Sequence, residues 1–392
     1  MVIKNRQRLS ISLFFFLSGI CFATWTSRIP SIKTTFDLNE AELGTLLLAM
    51  PIGSIIGLPI SGWLVSKFDS RIPLLVSFII TSISLALIGL APNAYILALP
   101  ICLFSFTMRI FSISVNTQAI TLQKLSDNKI LGSFHGLWSA GGIAGILLTT
   151  LMVALNISLQ LHLVCVTLVS LIATVFSYRY LLKDDRPVSG NKLILSKPDP
   201  YIVYLGLLVF FSAVCEGGMF DWSGIYFQDV LKIKVFTYGY LVFMTCMAIS
   251  RFLSDSIVDK IGMPATYTWS AACIIIGIGS TILFTNIWAA MIGFSLVGLG
   301  TAAIIPLSYS LAGLSKKYSP GMAISIIATY AISGMLIGPP MIGYLAHAFN
   351  LQTSFITFAV CGVMIMPISR LFFRHQKRIA SLEKSVVSDA TE

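Results

Sequence analysis

Two carboxylates, Glu216 and Asp221, lie in the stretch CEGGMFDWSGIYF, which is otherwise apolar and aromatic. Burial in a low-dielectric environment favours the protonated form of a carboxyl group. Such a group can bind a proton on one side of a barrier and release it on the other. It can equally contact a polar ligand or balance a buried cation. Which chemistry applies depends on the solvent that surrounds the stretch.

The composition of the chain indicates that this solvent is lipid. Of the 392 residues, 56% are hydrophobic and only 11% are charged, and the mean hydropathy is +0.88. A soluble domain carries about 25% charged residues, so this chain cannot cover a water-facing surface. The net charge of +10 comes from short loops between apolar spans. Because no basic face with interleaved aromatic residues is present, we exclude nucleic acid as a partner.

The apolar segments predict an all-α membrane protein with twelve transmembrane helices. A spanning helix needs about 20 mainly apolar residues, and lipid offers no hydrogen-bond partner to a non-helical backbone. The expected spans are 9–29, 41–65, 72–91, 94–122, 132–155, 159–182, 200–228, 237–257, 264–285, 287–314, 319–346 and 351–373.

One charged, proline-containing stretch, KDDRPVSGNKLILSKPDP, separates the first six spans from the last six. Such a stretch is typical of a boundary between two membrane domains. It predicts an N-terminal six-helix bundle at 1–182, a cytoplasmic linker at 183–199, a C-terminal six-helix bundle at 200–373 and a cytoplasmic tail at 374–392.

The basic residues predict the orientation of the chain. With Arg251 counted as a loop residue, 21 Lys and Arg lie on the side of both termini and the linker, and 4 lie on the other side. Arg109 lies within a span. Cytoplasmic loops carry the excess of Lys and Arg, so both termini are expected in the cytoplasm. We therefore expect a monomeric, multi-pass protein of the bacterial inner membrane, with the lipid bilayer as its surroundings.

The two halves carry matching short motifs. GWLVSKFDSR follows the second span and DSIVDKIG follows the eighth, while SAGGIAG lies in the fifth span and SGMLIGPPMIG in the eleventh. Small residues at these spacings let two helix backbones approach closely. Two pseudo-symmetric six-helix halves predict a repeat-built secondary transporter, with its site between the halves near the middle of the membrane.

The loop after the second span resembles a motif of the major facilitator superfamily, G-x-x-x-D-R/K-x-G-R-R/K. Three residues fit this motif: Gly62, Lys67 and Arg71. Ser66 and Asp69 stand where the motif has Asp and Gly. The copy in the second half keeps Asp259, Lys260 and Gly262, with Asp255 at the first Gly position. The resemblance implies that these residues latch a cytoplasmic gate, and that the aspartates of the second copy carry more of it. The alternative is that they are only loop charges that fix the topology.

Three further segments, FHGLWSAGGIAG, EGGMFDW and VNTQA, resemble a narrower group of MosC-like bacterial inner-membrane proteins, which are distant neighbours of the fucose permeases. This resemblance implies the twelve-helix fold of the superfamily and a small-molecule solute as partner. His135 lies at the start of the fifth span, where we expect it to hydrogen-bond within the gate.

The candidates for binding substrate or proton are the polar and aromatic side chains of the spans and their ends: Glu216, Asp221, Arg109, Asn116, Gln118, Trp25, Arg28, Trp138 and Trp222. An ionisable group within a membrane costs at least about 2.5–3.5 kcal/mol, so it faces a water-filled cavity or a partner. Glu216 is expected to carry the coupling proton or contact the substrate, to pair permanently with Arg28 or Arg109, or to hydrogen-bond to nearby Ser and Tyr side chains.

The other candidates have two readings each. Arg109 needs a carboxylate or an anionic ligand, whereas Arg28 ends the first span and can snorkel to the interface. The tryptophans can stack on a ligand ring or hydrogen-bond to it, or Trp25 and Trp222 can anchor the helices at the interface. Gly217 and Gly218 indicate either a break in the seventh helix or a close helix contact.

The sequence thus predicts a transporter of a small polar solute, sugar-, polyol- or amino-sugar-like, that is proton-coupled and works by alternating access. The alternatives are a proton-linked exporter of cationic or amphipathic drugs and a solute sensor that does not transport. The sequence has no Walker loop, metal-ligand cluster or nucleophile constellation. We therefore expect neither an enzyme nor a cofactor or metal.

Overall fold

A computed structural model describes residues 2–125, 131–183, 199–318 and 320–389. Helices dominate this part of the chain. They are α1 (Val2–Ser27), α2 (Ile29–Thr35), α3 (Glu40–Leu47), α4 (Ala49–Lys67), α5 (Arg71–Leu90), α6 (Ala94–Lys124), α7 (Leu131–Ala154), α8 (Leu159–Ser177), α9 (Pro200–Ile225), α10 (Tyr238–Ile261), α11 (Met263–Leu283), α12 (Ile287–Ala302), α13 (Ile304–Ala312), α14 (Pro320–Ala348), α15 (Leu351–Ser354) and α16 (Ile356–Asp389).

Each of the twelve expected spans coincides with one long helix or with two helices in direct succession. Within the described residues, eleven helical segments are long and apolar enough to cross a membrane. The remaining segment, α10, has 24 residues but contains four charged ones: Arg251, Asp255, Asp259 and Lys260. The predicted all-helical class is confirmed, and α10 is more polar than the other spans.

Two expected boundaries differ from the helices that form. The residues expected to make a tail after 373 continue α16 as far as Asp389. The linker expected at 183–199 falls mostly outside the described residues. The loop expected at Asp255–Gly262 is the last part of α10, which ends at Ile261.

The chain divides into two compact units. The first comprises the described residues of Met1–Ile194 together with Ser223–Leu241, and the second comprises those of Leu195–Trp222 together with Val242–Glu392. Helix α9 therefore contributes to both: Pro200–Trp222 belongs to the second unit and its last three residues belong to the first.

Matching N-caps support the repeat. Asn93 caps α6 by accepting a hydrogen bond from the backbone N–H of Ile96, and Asn286 caps α12 in the same way through Ala289. Ser158 caps α8 and Asn350 caps α15. Side-chain oxygens at these positions satisfy N–H groups that have no partner inside the helix. The fourth and tenth spans, and the sixth and twelfth, thus begin with the same device.

The small-residue motifs bring helices into close contact, as predicted. In the first unit, a Cβ added at Gly141 of α7 would overlap the carbonyl oxygen of Phe16 in α1. In the second unit, a Cβ added at Gly334 of α14 would lie 2.5 Å from the carbonyl oxygen of Phe210 in α9. The first helix of each half is therefore packed against the fifth helix of the same half through glycine.

Candidate functional site

Glu216 is buried in α9 and forms an ion pair with Arg251 of α10. Arg251 Nη2 donates to Glu216 Oε1 over 2.9 Å, and the two side chains are 30% and 6% exposed, respectively. Glu216 Oε2 and Arg251 Nε are buried and have no hydrogen-bond partner within the described residues. The pair is therefore only partly satisfied, with its carboxylate more deeply buried than its guanidinium.

The structure corrects two expectations about this pair. Arg251 was counted as a loop residue, but it lies in the middle of α10, which leaves twenty basic residues on the side of the termini instead of twenty-one. The expected partners of Glu216 were Arg28 and Arg109, and the partner found is Arg251. Ion pairing with an arginine was thus expected, but the arginine was wrongly identified.

The arrangement is a buried carboxylate held by a partly exposed guanidinium, with one oxygen and one nitrogen that no described group engages. Buried charge pairs contribute little net stability, yet removal of one partner is costly. Within the described residues, no group of three His, Cys, Asp or Glu side chains is placed to hold a metal ion.

Asp221 and Trp222 follow one turn later in α9. Asp221 is half-buried and has no hydrogen-bond or ion-pair partner in the part of the chain that the structure describes. Trp222 is fully buried, and its indole N–H donates to the carbonyl of Pro339 in α14 over 3.0 Å. Of these two candidates, Asp221 is the one whose polar atoms are not engaged by described protein groups.

The glycines beside Glu216 produce close contacts and no break. Helix α9 is continuous from Pro200 to Ile225. A Cβ at Gly217 would lie 3.3 Å from Met335 Cα of α14, and one at Gly218 would overlap the ring of Phe358 in α16. Of the two readings of the glycine pair, close packing is confirmed and the helix break is wrong.

Arg109 and Asn116 lie in α6 of the first unit. Arg109 is half-buried, and its Nε donates to Ser54 Oγ of α4 over 2.9 Å. Asn116 donates from its amide to the carbonyl of Ser112 over 2.7 Å, which is a contact within its own helix. The carbonyl group of the Asn116 side chain is not used by that contact and remains able to accept a hydrogen bond.

Gln118 is fully buried and holds three segments of the first unit together. Its amide nitrogen donates to Ser70 Oγ over 2.8 Å and to the carbonyl of Leu182 over 3.0 Å, and its amide oxygen accepts from the N–H of Leu182 over 2.8 Å. Ser70 lies in the loop before α5, and Leu182 follows α8. The amide is engaged by the protein, so we leave Gln118 out of the site proposed below.

Arg28 is buried with hydrogen bonds to neutral groups. Its guanidinium donates to His162 Nδ1 at 3.1 Å, to Ser31 Oγ at 3.3 Å and to the carbonyl of Ile157 at 3.0 Å. Arg28 directly follows α1 and contacts the loop that follows α7. The carboxyl end of a helix carries partial negative charge that favours a cation. The arginine therefore fastens two helix ends together.

The two remaining tryptophans lie in the first unit. Trp25 is buried, its ring centroid lies 6.4 Å from that of Phe104, and its Nε1 has no hydrogen-bond partner within the described residues. Trp138 is half-buried with its ring centroid 6.0 Å from that of Phe22. A buried indole N–H usually has a partner, so Trp25 is the better candidate for a ligand contact.

The gate candidates of the first unit contact aromatic rings. Lys67 Nζ lies 4.8 Å from the ring centroid of Trp63, and the Arg71 guanidinium lies 4.0 Å from that of Tyr178. Nothing lies within 4 Å of a Cβ added at Gly62. His135 is exposed, and its ring centroid lies 5.4 Å from that of Phe15. Cation–π contacts thus hold Lys67, the last residue of α4, and Arg71, the first residue of α5, where the aspartate of the motif is missing.

The gate candidates of the second unit end α10. Asp259 and Lys260 are exposed and form no ion pair with any described residue. Gly262 has φ +80°, a left-handed conformation that favours glycine, between α10 and α11. Asp255 lies in α10, and its side chain lies outside what the structure describes.

Comparison with known sequences decides the family. The sequence profile of the Major Facilitator Superfamily matches residues 11–280, more than half of the chain. The chain belongs to the major facilitator superfamily. Members of this superfamily are membrane transporters and not enzymes.

Relatives and solved structures agree with membership of the superfamily. An uncharacterised MFS-type transporter of Yersinia pestis is 29% identical over 89% of this chain and 91% of its own length. Membrane protein MosC of Rhizobium meliloti is 28% identical over 94% of this chain and 90% of its own, which confirms the MosC-like resemblance. The nucleoside transporter NupG, at 14% identity, superposes with a TM-score of 0.80 over 94% of this chain and all of that chain. This last likeness shows the fold alone.

Proposed function

We propose that this superfamily member moves a small polar solute, sugar-, polyol- or amino-sugar-like, across the bacterial inner membrane by alternating access, as a proton-coupled monomer. The observation that carries proton coupling is the partly satisfied ion pair of Glu216 and Arg251. Its carboxylate is 6% exposed and has one oxygen without a described partner. An ionisable group held within a membrane span is, by default, a functional-site hypothesis.

Coupling follows from the chemistry of the pair. In the deprotonated state, Glu216 holds Arg251 at 2.9 Å. A proton that reaches the carboxylate weakens this bond and releases the guanidinium to a hydroxyl or an anionic group of the solute. Loss of the proton on the other side restores the ion pair and expels that group. Asp221, which has no described partner, offers a second carboxylate to hydroxyl or amino groups of the solute.

The solute class is tested by its effect on the stability of the protein, because a ligand that binds only the folded state stabilises it. Detergent-purified protein is heated with sugars, polyols, amino sugars, nucleosides and lipophilic cations. Nucleosides are included because NupG shares the fold. We expect stabilisation by a polyhydroxylated solute. Stabilisation by lipophilic cations alone would favour the drug exporter.

Flux separates transport from sensing. Proteoliposomes are given an imposed pH gradient and the most stabilising compound of the screen. Accumulation that depends on the gradient supports the proposal. Binding without flux would contradict it and favour the solute sensor.

The proposed orientation rests on the basic residues: twenty of them, without Arg251, lie on the side of the termini, and four lie on the other. An alkaline phosphatase fusion after Lys384 is therefore expected to be inactive in a bacterial host, since the enzyme matures only outside the cytoplasm. A fusion after Lys234 serves as the matched control and is expected to be active. Activity after Lys384 would overturn the orientation.

A further inference from the structure

Helix α16 is longer than a membrane span requires. Its 34 residues correspond to about 51 Å, whereas the hydrocarbon core of a bilayer is about 30 Å thick. Helix α8, which occupies the matching place in the first half, has 19 residues and ends at Ser177. All charged residues of α16 lie at or after Arg370. This last part of α16 therefore projects from the hydrocarbon core, and it has no counterpart in α8.

Four cations of this part, called the basic stripe below, lie on one face of the helix: Arg370, Arg374, Lys377 and Arg378. Residues at i, i+4, i+7 and i+8 share one face of an α-helix. All four are exposed, and none forms an ion pair or a side-chain hydrogen bond with a described residue. Since the sequence has no acidic residue at 356–382, the stripe has no neutralising charge within its own turns.

Aromatic contacts turn the other side of the helix toward the second unit. The ring centroid of Phe372 lies 5.1 Å from that of Tyr201 in α9, and the ring centroid of Phe373 lies 5.8 Å from that of Tyr267 in α11. At 3.6 residues per turn, Phe372 is about 160° around the helix from Arg370. Packing of the second unit thus fixes the direction of the basic stripe, which faces away from α9.

The same face of α16 is apolar in the turns that precede the basic stripe. Ile356, Val360 and Val363 are exposed there, and they lie 14, 10 and 7 residues before Arg370. Fourteen residues correspond to about 21 Å of helix, which is most of the thickness of the hydrocarbon core. A long exposed apolar surface therefore ends in four cations. This is the order in which a phospholipid presents its acyl chains and its phosphate.

The side chains of the basic stripe lean toward the membrane. In a helix, Cα–Cβ bonds tilt toward the N-terminus, and the N-terminal part of α16 is the part within the hydrocarbon core. The stripe extends about 12 Å from Arg370 to Arg378, and the headgroup layer is about 5–8 Å thick on each side of the core. The backward lean brings the later cations closer to this layer. Arginine also matches phosphate with two parallel hydrogen bonds.

We propose that the basic stripe binds the phosphate groups of anionic phospholipids and so fixes the depth of α16 in the membrane. The inference rests on the proposed orientation for its side, the cytoplasmic leaflet, whose negative surface attracts basic segments next to a span. An acidic protein would offer the same charge. The apolar continuation of the face favours lipid, because acyl chains cover it and a cytoplasmic protein cannot.

The test measures lipid binding by the full chain and needs no solute. Detergent-purified protein is mixed with equal amounts of phosphatidylglycerol, which is anionic, and phosphatidylcholine, which is neutral, and the retained lipids are counted by native mass spectrometry. We expect the wild type to retain phosphatidylglycerol in preference, and less so as salt is raised. Arg370→Gln combined with Arg374→Gln should lower the apparent affinity for phosphatidylglycerol by about fivefold for each charge removed.

The matched control removes two exposed lysines that lie outside the second unit and form no ion pair with a described residue, Lys232→Gln with Lys234→Gln. Equal phosphatidylglycerol retention by the two double variants would overturn the proposal. If the arginine variant does not fold, Arg370→Lys with Arg374→Lys keeps the charge and should keep the preference for phosphatidylglycerol, and loss of that preference in a folded lysine variant would contradict the lipid site.

Two competitors identify the source of the negative charge. Inorganic phosphate and polyglutamate are each added to the wild-type protein with bound phosphatidylglycerol, and neither is expected to displace the lipid at matched ionic strength. Displacement by phosphate would show a site for a soluble anion, and displacement by polyglutamate would show a site for an acidic protein; either result would overturn the proposal. No proton gradient or transported solute is involved, so failure of the lipid site is distinguishable from failure of proton-coupled transport.

Discussion

Glu216→Gln and Arg251→Gln are each expected to destabilise the protein, whereas the double variant is expected to recover most of the loss. Removing one partner of a buried ion pair costs about 3–5 kcal/mol, and replacing both with neutral groups costs far less. Arg251→Gln should be the more damaging change, because the Glu216 carboxylate it strands is 6% exposed, while Arg251 keeps 30% of its side chain exposed. Heating of the purified variants, followed by measurement of the monodisperse fraction, checks this order.

Lys260→Gln is the matched control for the loss of a positive charge from the same helix. Lys260 is exposed and makes no ion pair with a described residue. The Lys260→Gln variant should have the same melting temperature as the wild type, because substitutions at the surface usually change stability by less than about 0.5 kcal/mol. If the single variants are as stable as the control, the Glu216–Arg251 ion pair contributes nothing to the stability of the protein.

Gly141→Ala is expected to lower the yield of folded protein by forcing α1 and α7 apart. The added Cβ would overlap the carbonyl oxygen of Phe16 and would lie 3.0 Å from Phe16 Cα. These are backbone atoms, which cannot rotate away as a flexible side chain can. Inserting a methyl group into a tightly packed contact costs about 1–3 kcal/mol. The same loss is expected of Gly334→Ala, which meets Phe210 in the second unit.

Gly279→Ala provides the opposite expectation for the same chemical change. Gly279 lies within α11, and nothing lies within 4 Å of a Cβ added there. Alanine favours a helix interior over glycine by about 1 kcal/mol, so this variant should be as stable as the wild type or more stable. Equal yields of Gly141→Ala and Gly279→Ala would contradict the account of helix packing.

The helices could be predicted from the sequence because lipid allows little else. An apolar run of membrane length must form a helix, and its length sets the ends to within a few residues. The close contact at Gly141 was also predictable, since small residues recur there at helical spacing. The length of α16 could not be predicted, because its residues beyond 373 are polar and gave no apolar signal for a helix that continues to Asp389.

The partner of Glu216 was missed because Arg251 was counted as a loop residue, although it lies within the expected span 237–257. Counted from the loop that joins α9 and α10, Glu216 lies nine residues before Ile225 and Arg251 lies thirteen residues after Tyr238. Four residues correspond to about 6 Å along a helix, which an arginine side chain can reach. This comparison of depths in two antiparallel helices would have found the pair.

Contacts that join distant segments of the chain could not be predicted from the sequence. Gln118 lies in α6, and nothing in its sequence neighbourhood indicates that its partners are Ser70 and Leu182. His162 accepts a hydrogen bond from Arg28. Both contacts depend on how the helices of one half pack, and a single sequence carries no direct record of that packing.

The central claim is that Glu216 and Arg251 couple proton movement to transport. Its most direct test is the double variant Glu216→Gln with Arg251→Gln in proteoliposomes, loaded with the most stabilising compound of the screen. The variant lacks both charges and, by the argument above, folds. We expect it to accumulate no compound against a gradient when an inward pH difference is imposed, since the pair can no longer bind and release a proton. Exchange of labelled for unlabelled compound should continue, weakened by the loss of the Arg251 contact. Accumulation equal to that of the wild type under the same pH difference would contradict the claim.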